Sequence, residues 1–143
     1  MKTVFETNSP AETEQIGFAL GSRLAPGTVI AMTGDLAAGK TTMLRGLARG
    51  MGLSDDVTSP TFAIVHEYRE GNLPLFHFDM YRLASSDELF DIGWEDYIRE
   101  GGVCAVEWSE NVADAIPSDA IRIDLQVTGD SSRKITITEG DKA

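Results

Sequence analysis

The sequence Thr-Val-Ile-Ala-Met-Thr-Gly-Asp-Leu-Ala-Ala-Gly-Lys-Thr-Thr at residues 28–42 is the most informative about the fold of this chain. The apolar run at residues 28–32 is of the kind that forms a buried strand. A glycine-containing turn follows it, and apolar side chains at helical spacing then predict a helix from about Lys40 to Met51. A strand that leads through a glycine turn into a helix is typical of an α/β sheet.

The turn in this stretch carries a complete motif. Residues 34–41 match Gly-x-x-x-x-Gly-Lys-[Ser/Thr], in which inward-pointing backbone N–H groups and the positive end of the following helix dipole bind phosphate. Lys40 would bridge the β- and γ-phosphates, the Thr41 hydroxyl would ligate Mg²⁺, and Thr42 would reach an inner phosphate. A surface turn with a solvated lysine is the alternative. We therefore predict a nucleotide-binding loop, the P-loop, made of Gly34, Asp35, Leu36, Ala37, Ala38, Gly39, Lys40, Thr41 and Thr42.

A P-loop enzyme needs an acidic residue at the end of a neighbouring strand to hold Mg²⁺ or its water shell. Glu107 directly follows a second apolar run, residues 103–106, and is the predicted metal ligand together with Thr41. Asp is the commoner residue in this role, so a contact through a bridging water is one form of this prediction. A solvated charge at a strand end is the other interpretation of Glu107.

Residues 77–82, His-Phe-Asp-Met-Tyr-Arg, form a second polar cluster. Strand alternation places His77, Asp79 and Tyr81 on one face and the apolar residues between them on the other. We expect Asp79 to orient an attacking water or to contact the water shell of Mg²⁺, and Arg82 to complement phosphate charge. His77 fits a catalytic role and a hydrogen-bonded structural role about equally.

Residues 58–61, Thr-Ser-Pro-Thr, follow the predicted helix where GTPase-like proteins carry a loop that senses the γ-phosphate. Pro60 restricts Ser59 to extended geometry, which would present the Thr61 hydroxyl to the phosphate. An ordinary entry into the next strand is the alternative. The candidate catalytic residues are therefore Lys40, Thr61, His77 and Asp79.

The rest of the chain completes an alternating pattern of helices and strands. The remaining predicted elements are a helix opened by a Ser9-Pro10-Ala11-Glu12 capping box, a hairpin over residues 62–79, a helix over residues 85–97 broken near Gly93, and strands at residues 121–127 and 135–137 joined near Gly129-Asp130. We expect one domain over residues 1–143, an α/β fold with a P-loop NTPase-like sheet, helices on both faces and antiparallel C-terminal strands.

Charge and composition limit the kinds of binding partner and the location that can be expected for this chain. The chain has 143 residues, with 12 basic and 23 acidic side chains and a net charge of −11, so it has no general attraction to DNA, RNA or an anionic membrane. A single cysteine, Cys104, excludes an internal disulfide and a multi-cysteine metal site. Residues 1–17 contain no long apolar stretch, so we expect neither a signal peptide nor a membrane anchor, and a cytoplasmic location.

Four strings of residues, taken in order, resemble the TsaE (YjeE) family of bacterial ATPases. They are residues 34–42, residues 58–62 in the style Val-x-Ser-Pro-Thr-[Phe/Tyr], residues 77–82 as His-x-Asp-x-Tyr-Arg, and Val-Glu-Trp at residues 106–108. Their order and spacing span most of the chain. The third and fourth strings, His-x-Asp-x-Tyr-Arg and Val-Glu-Trp, discriminate far more sharply than a P-loop alone.

The resemblance implies a function that composition could not. Members of this family bind ATP with Mg²⁺, hydrolyse it weakly alone, and work with a TsaB–TsaD pair in the threonylcarbamoyl modification of the adenosine beside the anticodon of certain tRNAs. It also implies that tRNA is reached through that complex, and that ATP turnover resets the complex. By the same resemblance Thr41 and Glu107 hold Mg²⁺, Asp79 is needed for hydrolysis, and Ser9 lies by the nucleoside.

One residue departs from the family pattern, and two other functions stay open. The family usually has Gly-Ala-Gly-Lys where this chain has Ala37 and Ala38 before Gly39; we expect this to be tolerated because the general motif leaves that position free. A small-molecule kinase would use the same loop, with Asp79 as base. A nucleotide-dependent binding module without productive turnover would also use it. A GTPase-type switch is disfavoured because the chain has no Asn-Lys-x-Asp string.

Overall fold

The computed structural model describes residues 2–34, 39–53, 65–69, 73–80, 83 and 85–139. Its strands are β1 (Lys2–Thr7), β2 (Val29–Gly34), β3 (Val65–Tyr68), β4 (Leu75–Asp79), β5 (Val103–Glu107), β6 (Ile121–Val127) and β7 (Arg133–Thr138). Its helices are α1 (Pro10–Gly21), α2 (Lys40–Gly50), α3 (Ser86–Asp91), α4 (Trp94–Arg99) and a 3₁₀ helix (Ser109–Ala115). In these residues no helix has the length and apolar character needed to cross a membrane.

The seven described strands form one sheet in the order β1-β7-β6-β2-β5-β4-β3. The central strands β6, β2, β5 and β4 run parallel to one another, whereas β3, β7 and β1 each pair antiparallel with their neighbours. Strands β2, β4 and β5 bury both faces over most of their length, which explains the continuous apolar runs of β2 and β5, whereas β6 alternates between buried and more exposed residues. The α/β sheet predicted from the sequence is confirmed, with β7 as its antiparallel C-terminal strand.

The sheet is covered by helices on both faces, as predicted. One face packs against α1 and α2, whose core side chains include Met43, Leu44 and Leu47, all fully buried. The other face packs against α3, α4 and the 3₁₀ helix, with Trp94 as its largest side chain. The predicted break between α3 and α4 occurs at Gly93, which has φ +96° and therefore suits glycine.

Strand β1 was not predicted from the sequence. Five of its six residues are exposed and only Thr7 is buried, because β1 lies at the edge of the sheet and pairs with β7 alone. A strand in this position has no buried apolar face, so its sequence carries no period-two pattern. Its pairing with β7 supplies the main-chain hydrogen bonds that hold it.

Helix α1 begins as predicted, with one difference in its cap. The Ser9 hydroxyl accepts the backbone N–H of Glu12 at 3.2 Å. The Glu12 carboxylate accepts the N–H of Asn8 at 2.6 Å, one residue earlier than the capping box that the sequence predicted. The cap places Ser9 at the start of α1 on the same side of the molecule as the start of α2.

Glycines bring α1 and α2 into close contact. A Cβ atom on Gly17 would overlap the carbonyl oxygen of Met43, and one on Gly46 would overlap the carbonyl oxygen of Glu14. The backbones therefore touch where other residues would hold them apart. This packing fixes the amino end of α1 beside the amino end of α2, where the predicted P-loop ends.

Candidate functional site

The carboxyl ends of three parallel strands meet at one edge of the sheet. β2 ends at Gly34, β4 at Asp79 and β5 at Glu107. The strand register places Glu107 opposite Asp79 on one side and opposite Met32 on the other. In open α/β sheets this edge is where ligands bind, because the loops leaving parallel strands converge there.

Helix α2 begins at Lys40 directly after Gly39, which has φ +96° and serves as the N-cap without a side chain. The Lys40 side chain is 4% exposed, and its ammonium donates a hydrogen bond to the Gly34 carbonyl oxygen at 2.7 Å. The same ammonium lies 4.1 Å from the centroid of the Trp108 ring. Gly34 and Lys40, which lie on either side of residues 35–39 of the predicted P-loop, are therefore joined by a direct contact.

Trp108 has a φ of +57°, the only positive φ at a non-glycine residue in the described part of the chain. Such a left-handed conformation costs on the order of 1–3 kcal/mol and is concentrated at functional sites. The chain turns here from β5 into the 3₁₀ helix, and the Ser109 hydroxyl donates to the Met32 carbonyl oxygen at 3.2 Å. This turn brings the indole over Lys40.

Glu107 and His77 form a buried hydrogen-bonded pair. His77 Nε2 lies 2.5 Å from Glu107 Oε2, and the two residues are 0% and 5% exposed. His77 Nδ1 is buried and has no hydrogen-bond partner within the described ranges. The geometry of His77 is that of a hydrogen-bonded, buried histidine, and its contact is with the predicted metal ligand.

The donor set at the strand ends is suited to Mg²⁺. Asp79, in register with the buried Glu107, is half-buried, and Thr41 in the first turn of α2 is half-buried as well. The described residues contain no group of three or more His, Cys, Asp or Glu side chains that could hold a metal by themselves. Mg²⁺ takes oxygen ligands and is commonly held by one or two carboxylates together with phosphate oxygens and waters. The residues present fit that mode of binding.

A cavity of about 180 Å³ lies beside the amino ends of α1 and α2. It brings together three residues predicted to bind nucleotide, Ser9, Gly39 and Thr42. It also adds Asp130 and Ser131 from the connection between β6 and β7 and Arg133, the first residue of β7, together with Pro10 and Thr13 of α1. The sequence analysis did not identify these residues, because nothing in the polar turn at residues 129–132 indicates which part of the fold it faces.

Several predicted residues lie outside the described part of the chain. They are Asp35, Leu36, Ala37 and Ala38 of the P-loop, residues 58–62 with Thr61, and Tyr81 and Arg82. Their roles stay predictions. The described residues bring Gly34, Gly39, Lys40, Thr41, Asp79 and Glu107 to one edge of the sheet.

The fold and this edge define the class: an α/β protein with a P-loop NTPase-like sheet, covered by helices on both faces. Residues 7–135 match the family model described as "Threonylcarbamoyl adenosine biosynthesis protein TsaE". The chain belongs to the TsaE family, which acts in the biosynthesis of tRNA threonylcarbamoyladenosine.

Two relatives and one solved structure show how far the similarity extends. The TsaE protein of Treponema pallidum is 42% identical over 131 residues, covering 92% of this chain and 96% of that protein. The TsaE protein of Bacillus subtilis is 41% identical over 134 residues, covering 94% and 84%. A crystal structure of Bacillus subtilis YdiB superposes with a TM-score of 0.81 at 35% identity, covering 97% of this chain and 86% of that one.

Proposed function

We propose that this protein is a Mg²⁺-dependent ATPase that binds ATP on its P-loop and hydrolyses it within the tRNA-modification pathway of its family. One observation carries the proposal. Lys40 and Thr41 at the start of α2 lie at the same sheet edge as Asp79 and Glu107, which face each other in register at the ends of β4 and β5. Phosphoryl transfer from a nucleotide requires a lysine, a hydroxyl and carboxylates, and the start of α2 and the ends of β4 and β5 supply these groups.

The triphosphate would bind along the P-loop and the first turn of α2. Lys40 would exchange its present contact with the carbonyl of Gly34, the first residue of the motif, for the β- and γ-phosphate oxygens. Thr42 would contact an inner phosphate, and the nucleoside would lie in the cavity that Ser9 and Arg133 line. This places the reacting phosphate toward Asp79 and Glu107.

The bound Mg²⁺ would neutralise charge on the β- and γ-phosphates, and Thr41 and Glu107 are the residues that would hold it. Asp79 would hold the attacking water in line with the γ-phosphate. Lys40 and the backbone amides of the loop would stabilise the negative charge that develops on the phosphate oxygens as the bond to the leaving group breaks. The sequence offers no evident arginine finger, so turnover by the isolated chain is expected to be slow.

The proposed partner is the TsaB–TsaD heterodimer, with tRNA reached through that complex. The net charge of −11 supports a protein partner over direct binding to tRNA, because phosphate backbones are bound by Lys and Arg. Docking would complete the site and raise the rate. We place this activity in the cytoplasm, without a membrane or DNA partner.

The test is Mg²⁺-dependent phosphate release from ATP with no acceptor added, for wild type and for Asp79→Asn. Release from wild type is expected, with a loss of about a hundredfold or more in Asp79→Asn while ATP affinity stays within about threefold. Asp91→Asn is the control, because Asp91 is an exposed carboxylate on α3, on the opposite face of the sheet.

Two other results would each overturn part of the proposal. Phosphate transfer only when an acceptor hydroxyl is supplied would identify a kinase. Tight ATP binding with no release would identify a binding module. An equal loss of binding and hydrolysis in Asp79→Asn would remove Asp79 from the catalytic role.

A further inference from the structure

We propose that His77 is a positioning residue that sets the Mg²⁺ affinity of this site by holding the carboxylate of Glu107. The inference rests on the proposed function, and it moves His77 from the candidate catalytic residues to a residue that acts through its neighbour Glu107. Three observations carry it: the contact between the two side chains, their burial, and His77 Nδ1, which has no partner among the described residues.

The strand register explains why the two side chains meet. On β4 and β5, His77 lies opposite Ala105, and Asp79 lies opposite Glu107. All four residues project to the face that packs on α2, since side chains alternate along each strand. The small side chain of Ala105 leaves room for the imidazole to lean along the strand direction, and Nε2 reaches Glu107 Oε2 at 2.5 Å.

The surroundings of Glu107 make this hydrogen bond necessary. The carboxylate is 5% exposed, and its neighbour in register on β2 is Met32, which is fully buried and apolar. A buried carboxylate without a donor costs several kcal/mol, so a partner is required wherever one persists. Within the described part of the chain, the donor to this carboxylate is Nε2 of His77.

The other nitrogen of His77 shows which contact orients the ring. A carboxylate only accepts, so the hydrogen-bond network assigns a proton to Nε2. Nδ1 is buried and without a partner in the residues that the structure describes. The imidazole forgoes a bond at Nδ1 while keeping a short one to Glu107, which is the pattern of a ring placed to serve the carboxylate.

This arrangement would favour metal binding. The hydrogen bond occupies Oε2 and removes rotamer freedom from the Glu107 side chain, which leaves the remaining lone pairs of the carboxylate directed and free to accept a cation. Partners that orient a metal ligand in this way commonly change metal affinity by about 10–100-fold when they are lost.

The test compares His77→Gln with His77→Asn, two amides that differ by one methylene. The Gln amide can reach the position of Nε2, whereas the Asn amide stops near Nδ1. Calorimetry first measures the affinity for a non-hydrolysable ATP analogue in EDTA. It then measures the Mg²⁺ concentration at which half of the Mg²⁺-dependent increase in that affinity is reached. We expect His77→Asn to raise that concentration about tenfold or more and His77→Gln to stay within about threefold. Both variants should bind the analogue in EDTA like wild type.

A Glu107→Gln background sharpens the test. There His77→Asn should cause no further change in Mg²⁺ demand, because the group it positions is gone. Equal Mg²⁺ demand in wild type, His77→Asn and His77→Gln would overturn the inference while leaving the proposed function intact. Analogue binding by wild type that does not respond to Mg²⁺ would instead refute the metal part of the proposed function, and this inference with it.

A measurement on the wild-type protein covers the case in which His77→Asn does not fold. In spectra of the protein with ¹⁵N-labelled histidine, the Nε2–H resonance of His77 should shift when Mg²⁺ is added to the nucleotide complex. It should not shift when nucleotide is added in EDTA. An unchanged resonance on addition of Mg²⁺ would overturn the inference.

Discussion

The two faces of the sheet carry different kinds of side chain, and β4 contributes to both faces. On the face toward α3 and α4, Phe78 packs edge-on against Trp94 at 5.0 Å and against Tyr97 at 5.2 Å between ring centroids. On the face toward α2, the next residue in each direction along β4 is polar, His77 and then Asp79. One strand thus supplies an aromatic core on one side and the candidate site on the other.

The two faces also differ in how closely their helices approach. The α1–α2 face relies on glycine contacts between backbones, while α3 and α4 are short helices held by large aromatic side chains. Backbone contact fixes positions tightly, which a binding site needs, and aromatic packing buries large apolar area, which stability needs. We therefore expect substitutions on the aromatic face to change stability and substitutions on the α1–α2 face to change nucleotide binding.

The largest effect is expected for Phe78→Ala. Phe78 is fully buried, so its loss should lower the free energy of unfolding by about 3–5 kcal/mol, measured by urea denaturation. Nucleotide affinity at low temperature should stay within about threefold, because only the aromatic face is altered. Phe90→Ala is the matched control, since Phe90 is 43% exposed and its loss should cost less than about 0.5 kcal/mol. A large drop in nucleotide affinity for folded Phe78→Ala would break the division between the faces.

A smaller change in stability, with a change in binding, is expected for Gly46→Ala. The new Cβ would overlap the Glu14 carbonyl oxygen and push α1 away from α2, lowering the free energy of unfolding by about 1–3 kcal/mol. Because Ser9 and Gly39 line one cavity between these helix ends, ATP affinity should fall as well. Ala19→Ser, at an exposed position of α1, serves as the control. Unchanged ATP affinity in Gly46→Ala would show that the helix contact does not position the site.

A pH-dependent effect is expected on the aromatic face. Burial raises the pKa of the Cys104 thiol to about 12, above its ordinary value of 9.0. Since the folded state binds the thiol proton more tightly, Cys104 contributes stability that is present below pH 9 and is lost as pH rises toward 12. Cys104→Ala should therefore show a shallower loss of stability over this range than wild type. A thiol reagent should label native Cys104 slowly at neutral pH and rapidly in urea; fast labelling of the native protein would contradict its burial.

The smallest effect is expected for Ala37→Gly in the P-loop. If this position needs a positive φ, alanine costs about 1 kcal/mol there, and glycine would tighten ATP binding by less than about tenfold. Calorimetry with ATP in the presence and absence of Mg²⁺ measures the change. Binding more than about tenfold tighter would show that the alanine weakens the loop more than the motif allows.

The sequence predicted those parts of the fold whose side chains carry a strong pattern. β2, α2 and β5 have continuous apolar runs or helical spacing, and each was placed within about two residues of its observed bounds. β1 has no such pattern, because it is an exposed edge strand. The Glu12 carboxylate accepts the N–H of Asn8 and not that of Ser9. This choice depends on the local backbone geometry, which the sequence of the cap does not specify.

For the candidate site, the motif residues could be named but their contacts could not. The sequence offered two readings of His77, and the hydrogen bond to Glu107 depends on the register of β4 against β5, which no local pattern specifies. The contribution of Asp130 and Arg133 depends on how the β6–β7 connection lies against α1 and α2. The close contact between α1 and α2 had a visible signal in Gly17 and Gly46, one in each helix, because small residues at a helix surface allow close packing.

Partner-coupled ATP hydrolysis at the sheet edge is measured as phosphate release from ATP and Mg²⁺ with and without purified TsaB–TsaD. We expect slow release from the isolated chain, a clear increase with the complex, and no increase for Asp79→Asn. A wild-type protein that binds ATP but releases phosphate no faster with the complex would refute this coupling.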